Sequence, residues 1–342
     1  MNQEERREKR KKDTQSAVIV VAVFFIVLAV LIGGIVFAVH KFVKPGADKP
    51  EKNTESVTTE ATEEPETTPV TEVSDPLMDQ AMQIAAGMTL EQKVAQMFMI
   101  TPDALTGVDG ATMAGDSTKT AYTQYPVGGL IYMAKNLTGT DQTAQMLTNM
   151  KSYSQEIVGI PVFLGVDEEG GTVARIASNS AFGVTDVGNM SDVGATGDSH
   201  DGAVSTDKSL DDLLANELVP FQQAVNNGAS FVMVGHISAP AVTGDDTPAS
   251  LSSVMVTDVL RNQLGFHGVV ITDAMNMGAV TGTYSSADAA VTAIQAGVDM
   301  ILMPEDFQSA YQGVMDAVTG GTITEDRINE SVARIIKVKL TM

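Results

Sequence analysis

From Pro76 to Met342 the chain alternates short, nearly continuous apolar runs with longer amphipathic stretches. Apolar runs of this length favour buried strands, and the amphipathic spacing favours helices with one apolar face. Strands of this kind separated by helices indicate parallel β/α units. Six strand-like runs are present, at residues 96–100, 128–133, 161–167, 230–237, 268–275 and 299–305.

Polar side chains stand at the C-terminal ends of four of these runs: Asp167, His236, Asp273 and Glu305. In a (β/α) barrel the C-terminal ends of the strands form one face, and that face carries the active site. The pattern therefore predicts an α/β fold, a (β/α)8 TIM-barrel-like domain over residues 76–342, with its site built from these strand ends.

The predicted barrel is incomplete, because eight strands are needed and six are recognisable. The shortfall is local: no apolar run of either kind lies between Ala177 and Ser209. A structureless segment of this length inside a compact domain indicates either a functional loop or absent β/α units.

The first 75 residues have a different pattern. Residues 1–16 form a basic tail with six Lys and Arg between Arg6 and Lys12, and residues 17–39 are 23 uncharged, mostly apolar residues. As a helix this run is about 34 Å long, enough to cross a hydrocarbon core of about 30 Å. The positive-inside rule predicts a single-pass cell-membrane protein with a cytoplasmic N-terminus and an extracytoplasmic remainder. A cleaved signal peptide is the alternative, but the run is long for one and no small-residue cleavage site follows.

Residues 40–75 are rich in Thr, Glu and Pro. Such a composition buries too little apolar surface to offset the entropy of ordering, which predicts a disordered linker. Its expected role is a stalk between the membrane helix and the barrel domain.

The composition of the chain limits which partners, metals and cofactors are expected. The chain has no cysteine and a net charge of -22, and from Pro76 onward 11 Lys and Arg face 30 Asp and Glu. A surface of this sign repels phosphate backbones, so nucleic acid is not expected as a partner, whereas a neutral glycan is compatible. The four histidines form no metal-ligating spacing and no phosphate-binding loop is present, so neither metal nor cofactor is expected.

Two motifs resemble the N-terminal barrel domain of glycoside hydrolase family 3, in particular its β-N-acetylglucosaminidases. They are GVDEEGGTVARI (165–176) and GFHGVVITDAMNMGAV (265–280). The resemblance implies that Asp167 and Arg175 contact the sugar and that Asp273 is the nucleophile. By themselves the residues leave alternatives open: Asp273 as a helix cap, Asp167 as part of an acidic turn, and Arg175 as a surface side chain.

GDSHDG (197–202) resembles the family's D-[ST]-H loop. This implies that His200 is the general acid/base and that Asp198 is its dyad partner. Histidine suits the role because it titrates near neutral pH, although a histidine in a polar loop is often only solvated. His236, at a strand end, is expected to bind substrate by lining the pocket, or else to pair with a neighbour in a polar core.

One departure from the family is large. The K-H-F-P-G-H-G motif that precedes the D-[ST]-H loop in the family, and the strand pair before it, have no counterpart here. We therefore predict an internal deletion of about two β/α units, with its junction near residues 194–200.

The expected function is release of terminal β-N-acetylglucosamine from cell-wall-type, peptidoglycan-derived glycans by a retaining, membrane-anchored enzyme. The alternative is a catalytically impaired, glycan-binding or structural remnant of the family.

Overall fold

The computed structural model describes residues 75–170, 173–184 and 202–342. The predicted basic tail, the predicted membrane segment and the linker up to Ser74 lie outside these residues, as do Asp198 and His200. None of the helices within the described ranges has the length and apolarity needed to span a membrane.

All six predicted strand runs are confirmed as strands of a TIM-barrel-like α/β fold. A short hairpin, not predicted from the sequence, follows the third of them. In chain order the strands are β1 (Phe98–Ile100), β2 (Gly129–Tyr132), β3 (Phe163–Val166), β4 (Glu168–Gly170), β5 (Val173–Ala174), β6 (Phe231–Val234), β7 (Val269–Thr272) and β8 (Ile301–Leu302).

The six barrel strands are parallel and run in the order β3-β2-β1-β8-β7-β6. β1 pairs with both β2 and β8, β2 pairs with β3, and β6 pairs with β7. The link between β7 and β8 is a single parallel bridge from Ile271 to Met300. Within the described part of the chain no ladder joins β3 to β6, and we call this gap the seam.

Helices cover the outside of the strands. They are α1 (Pro76–Ala86), α2 (Leu90–Gln96), α3 (Pro102–Thr106), α4 (Asp116–Gln124), α5 (Thr140–Ile157), α6 (Leu210–Ala215), α7 (Val219–Asn226), α8 (Pro240–Thr243), the π-wound α9 (Val254–Gln263), α10 (Gly278–Thr281), α11 (Ser286–Ala296), α12 (Phe307–Thr319) and α13 (Glu325–Lys339).

Residues 209–228, one amphipathic stretch in the sequence, form two helices. α6 ends at Ala215, and α7 starts at Val219 with Pro220 in its first turn. Proline has no N–H to donate and is tolerated only in the first turn of a helix, so a new helix begins there.

The seam is bridged by side chains. The rings of Phe163 on β3 and Phe231 on β6 meet edge to face, with centroids 5.1 Å apart. Apolar side chains on β6 and just after it are exposed, since Met233 is 49% exposed and Ile237 48%. The seam lies between β3 and β6, the two barrel strands that flank the predicted deletion junction along the chain.

Asp299 links the helices to the strands beneath the site through hydrogen bonds. It is fully buried, and its carboxylate accepts hydrogen bonds from Arg261 (2.6 Å), Arg334 (2.9 Å) and Ser331 (2.6 Å). It also accepts one from the backbone N–H of Val270 on β7. A buried charge is tolerated when it is paired and hydrogen-bonded in this way.

A second charged residue, Lys339, closes the floor of the barrel. Only 1% of it is exposed, its Nζ donates to Gln96 Oε1 at 2.6 Å, and the same atom lies 4.9 Å from the centre of the Phe163 ring. Burial lowers the pKa of Lys339 to about 7, because the ammonium form loses its hydration there.

Candidate active site

The direction of side chains on β1 to β3 identifies the inside of the barrel. Phe98 packs against Phe307 of α12, so it faces the helices. Its neighbour Met99 therefore faces inward, and its side chain passes over Gly129 to reach Gly165. A Cβ at Gly165 would lie 2.6 Å from the Met99 methyl, so a larger residue there would require that methyl to move.

Asp167 lies at the mouth of this interior. Phe163 is paired in register with Gly129, so it shares the inward face with Gly165. Alternation along the chain gives Asp167 the same face, directly after β3. Its carboxylate is 35% exposed and accepts a hydrogen bond from Arg175 Nη2 at 3.3 Å. The structure thus brings together Asp167 and Arg175, two of the predicted sugar-contacting residues.

Asp273 lies at the same level on the other side of the seam. Val269 is the register partner of Phe231, whose ring contacts Phe163, so Val269 faces inward. Side chains two residues apart on a strand face the same side, so Asp273, which lies four residues after Val269 and directly after β7, also faces inward. Asp167 and Asp273 are each four residues above the aromatic layer, a rise of about 13 Å. Two inward-facing carboxylates therefore share one barrel mouth.

The hairpin β4–β5 holds Arg175 in place. The Glu168 carboxylate accepts backbone hydrogen bonds from Arg175 (2.9 Å), Ile176 (2.7 Å) and Ala177 (3.2 Å). Arg175 Nε is buried and lacks a hydrogen-bond partner among the described residues. The guanidinium thus keeps a donor directed into the protein, beside the carboxylate it pairs with.

The turn that carries Asp273 is fixed from both neighbouring strands. The Asp273 N–H donates to Val234 O of β6 at 2.9 Å, and the Met275 N–H donates to Leu302 O of β8 at 2.9 Å. Asp273 Oδ1 accepts from the Ala274 N–H at 2.8 Å. Oδ2 accepts no hydrogen bond from the described part of the chain, which leaves one carboxylate oxygen for chemistry at the mouth.

His236 supports the Asp273 turn from below. Only 1% of it is exposed. Its Nε2 lies 3.0 Å from Ala274 O and its Nδ1 lies 2.8 Å from Ser250 Oγ. Because a carbonyl can only accept, Nε2 carries a proton and donates it to Ala274 O, while Nδ1 is hydrogen-bonded to the serine hydroxyl. Both ring nitrogens are hydrogen-bonded to protein, which is the polar pairing given above as the alternative, and the contact between His236 and a sugar stays a prediction.

The sequence reasoning missed three contributors to this site: Glu168 as the anchor of the hairpin, Ser250 as the partner of His236, and Leu302 as the partner of the Asp273 turn. Each acts through the backbone or across elements distant in the chain, so no local pattern marks it. The predicted dyad, Asp198 and His200, lies outside the described residues. Within the described ranges, no three His, Asp or Glu side chains gather to hold a metal ion.

A barrel whose strand ends carry two carboxylates and an arginine is typical of sugar-cleaving enzymes of the TIM-barrel class. The sequence profile of the glycosyl hydrolase family 3 N terminal domain matches residues 89–186 and 191–338. This is well over half of the chain, and the chain belongs to that family.

Among relatives, beta-hexosaminidase A of Pseudoalteromonas piscicida is 23% identical over 323 residues, covering 63% of this chain and 54% of the relative. A beta-hexosaminidase of Chromobacterium violaceum is 38% identical over 107 residues, covering 31% of this chain and 29% of the relative. The chain thus spans about half or less of the length of these relatives.

Among solved structures, a family 3 beta-N-acetylglucosaminidase from Paenibacillus sp. str. FPU-7 superposes with a TM-score of 0.66 at 26% identity. The match covers 74% of this chain and 62% of that one. M. tuberculosis LpqI superposes with a TM-score of 0.57 at 23% identity, covering 76% of this chain and 96% of that one. The second likeness concerns the fold alone.

Proposed function

We propose that this protein is a membrane-anchored glycosidase that releases terminal β-N-acetylglucosamine from peptidoglycan-derived glycans. The observation that carries the proposal is the pair of inward-facing carboxylates, Asp167 and Asp273, at one mouth of a family 3 barrel. Relatives named beta-hexosaminidase support the choice of sugar.

In the proposed mechanism Asp273 is the nucleophile. Its Oδ2 attacks the anomeric carbon, a C–O bond to the enzyme forms, and the glycosidic bond to the leaving group breaks. His200, held by Asp198, gives a proton to the departing oxygen. The same histidine then takes a proton from water, which attacks the anomeric carbon and releases Asp273. Two inversions at one carbon return the β configuration, so the reaction retains it.

Asp167 and Arg175 bind the sugar in this proposal. The carboxylate accepts hydrogen bonds from adjacent hydroxyls, and the guanidinium beside it holds the carboxylate in one orientation. Since Asp167 remains 35% exposed at the mouth, a ligand reaches it without rearrangement of the hairpin.

The stereochemical outcome tests the mechanism. Proton NMR of the first minutes of hydrolysis of an aryl β-N-acetylglucosaminide should give the β-anomer of free N-acetylglucosamine, before mutarotation adds the α-anomer. Initial release of the α-anomer would contradict a covalent intermediate on Asp273 and would indicate direct attack by water.

A second candidate function, a glycan-binding or structural remnant, is favoured by the seam. The alignment with the Pseudoalteromonas relative has 323 positions but includes only 63% of the 342 residues of this chain, about 215. Roughly 100 aligned positions are therefore gaps in this chain. This supports the proposed deletion, whose lost units include part of the pocket wall. Binding of N-acetylglucosamine without turnover, measured by calorimetry on a folded sample, would favour the remnant.

Anchoring to the membrane is proposed from the uncharged run at residues 17–39 and the six basic residues before it. The expected result is that the protein sediments with membranes and is released by detergent, and that protease added outside intact cells removes the barrel domain. Recovery in the soluble fraction, or protection from that protease, would contradict the proposed topology.

A further inference from the structure

The chain leaves the regular hydrogen-bond pattern of a parallel strand at the proposed nucleophile. In such a strand every second residue bonds to the same neighbouring strand, so Ala274 should follow Thr272 in bonding towards β8. The Thr272 N–H does donate to the chain entering β8, at 3.0 Å, but the next bond on that side comes one residue late, from the Met275 N–H to Leu302 O at 2.9 Å. The Ala274 N–H donates instead to Asp273 Oδ1 at 2.8 Å. A shift of one residue after Asp273 thus provides the backbone donor that holds its carboxylate.

The same shift directs the Ala274 carbonyl towards β6. In a planar trans peptide the C=O and the N–H point in opposite directions, and the Met275 N–H of this unit points to β8. His236, two residues after β6, meets the carbonyl there, and its Nε2 donates to Ala274 O at 3.0 Å. The Met277 N–H also donates to this oxygen, at 3.1 Å, but that bond lies within the turn. Among the described residues, His236 is therefore the one that ties this carbonyl to another segment.

The His236 ring is itself held in one orientation. It is buried, and its Nδ1 is hydrogen-bonded to Ser250 Oγ at 2.8 Å. Ser250 is fully buried in the single turn Ala249–Leu251, and its N–H donates to Gly235 O at 3.1 Å. A serine hydroxyl can donate or accept, so both ring bonds are possible with the imidazole neutral or charged. The support of the Ala274 carbonyl therefore does not depend on the charge of the ring.

We propose that His236 is a positioning residue for Asp273: it holds the Ala274 carbonyl and thereby the one-residue shift that presents the nucleophile. The peptide unit after Ala274 is held at both ends, by β8 and by the ring. The Asp273 N–H is bonded to Val234 O of β6, so the short stretch that carries the carboxylate is fixed on both of its sides. The inference rests on the proposed function for its effect on turnover. It assigns to His236 an action through the backbone, where the sequence predicted a contact with the sugar itself.

Two substitutions separate this role from a sugar contact. His236→Phe keeps an aromatic ring and has no donor, whereas His236→Gln offers an amide N–H in place of Nε2. In an aryl β-N-acetylglucosaminidase assay we expect His236→Phe to lower kcat by about 10- to 100-fold with little change in KM, because the nucleophile is displaced while the sugar contacts remain. His236→Gln should recover kcat to within about fivefold of wild type, because the bond to the carbonyl is restored. His267→Phe, at an exposed histidine just before β7 and so on the opposite face of the barrel, is the matched control and should have no effect.

Two kinetic results would overturn the inference. A rise in KM of about tenfold or more in both variants, with kcat unchanged, would indicate that His236 contacts the sugar. An equal loss of kcat in the phenylalanine and glutamine variants would indicate that the ring serves only to pack the protein.

Hydrogen exchange gives a readout that does not need turnover. In the peptide containing Ala274 and Met275, amide exchange should accelerate in His236→Phe and stay near the wild-type rate in His236→Gln. If wild type shows no turnover, the proposed function fails while this measurement still judges the support of the turn. If His236→Phe does not fold, Ser250→Ala removes the partner that orients the ring and should give the same pair of effects in weaker form, with kcat lowered at least about threefold. Wild-type kcat together with wild-type exchange in a folded His236→Phe or, in its place, Ser250→Ala would overturn the inference.

Discussion

Lys339 makes the stability of the barrel depend on pH in a window where few other groups titrate. Its ammonium group is buried on the barrel floor with one neutral hydrogen-bond acceptor, Gln96, and one aromatic ring, Phe163. Among the described residues no carboxylate forms an ion pair with it. Burial lowers its pKa from about 10.5 to about 7. The perturbation we consider is Lys339→Met, which keeps most of the side-chain volume and removes the titrating group.

The sign follows from proton binding. Between pH 7 and pH 10.5 the unfolded chain holds the proton on this lysine and the folded chain releases it, so the free energy of unfolding rises with pH. From pH 7 to pH 9 the gain is about 2 kcal/mol, since each pH unit is worth about 1.4 kcal/mol and half of the folded molecules are already neutral at pH 7. Well below pH 7 both states carry the proton, and the dependence on this group disappears.

Urea unfolding followed by circular dichroism at pH 6, 7, 8 and 9 measures the effect. The difference in unfolding free energy between wild type and Lys339→Met should change by about 2 kcal/mol from pH 7 to pH 9, in favour of wild type as pH rises. Other titrating groups cancel in this difference. Parallel stability profiles for the two proteins would contradict a lowered pKa for Lys339 and would mean that water or a counter-charge reaches the barrel floor.

Three further predictions concern the core and the site. Asp299→Ala leaves the partly buried guanidinium groups of Arg261 and Arg334 without their shared carboxylate and should lower the free energy of unfolding by about 3–5 kcal/mol, measured by urea denaturation. An effect below about 1 kcal/mol would contradict the importance of this network. Arg175→Ala should raise KM for an aryl glycoside at least about tenfold with a smaller effect on kcat, because it removes a charged hydrogen-bonding group from the proposed sugar site. An unchanged KM would count against contact between Arg175 and the sugar. His200→Ala should abolish turnover of natural disaccharides and retain part of it on substrates whose leaving group needs no proton, compared by their initial rates; equal losses on both would indicate a structural role for His200.

The sequence predicted those parts of the fold that depend on local periodicity. Apolar runs of strand length located all six barrel strands, because buried parallel strands need apolar residues on both faces. It also identified Asp167 and Arg175 as neighbours in the site, since a family motif contains both. Helix α12 was not predicted, although its buried side chains, such as Phe307 and Val314, have helical spacing.

The sequence did not predict features that depend on contacts between segments distant in the chain. Lys339 looks like a surface residue of an amphipathic helix, and only the arrangement of α13 over the barrel floor buries it. His236 stands at a strand end, as a pocket residue would, but its ring bonds to Ser250 and Ala274 from two other segments. The left-handed backbone of Met303, with a φ of 46°, opposes local preference because this residue precedes Pro304, so no single-sequence rule predicts it.

The proposed function depends above all on Asp273 acting as the nucleophile. Its most direct test is the rate of hydrolysis of an aryl β-N-acetylglucosaminide by wild type, by Asp273→Ala, and by Asp258→Ala as a control at an exposed carboxylate on α9. We expect turnover by wild type and by the control, and a loss of at least about 1000-fold in Asp273→Ala, since a missing nucleophile removes the covalent route. Equal turnover by all three, or none by wild type in a well-folded sample, would contradict the claim.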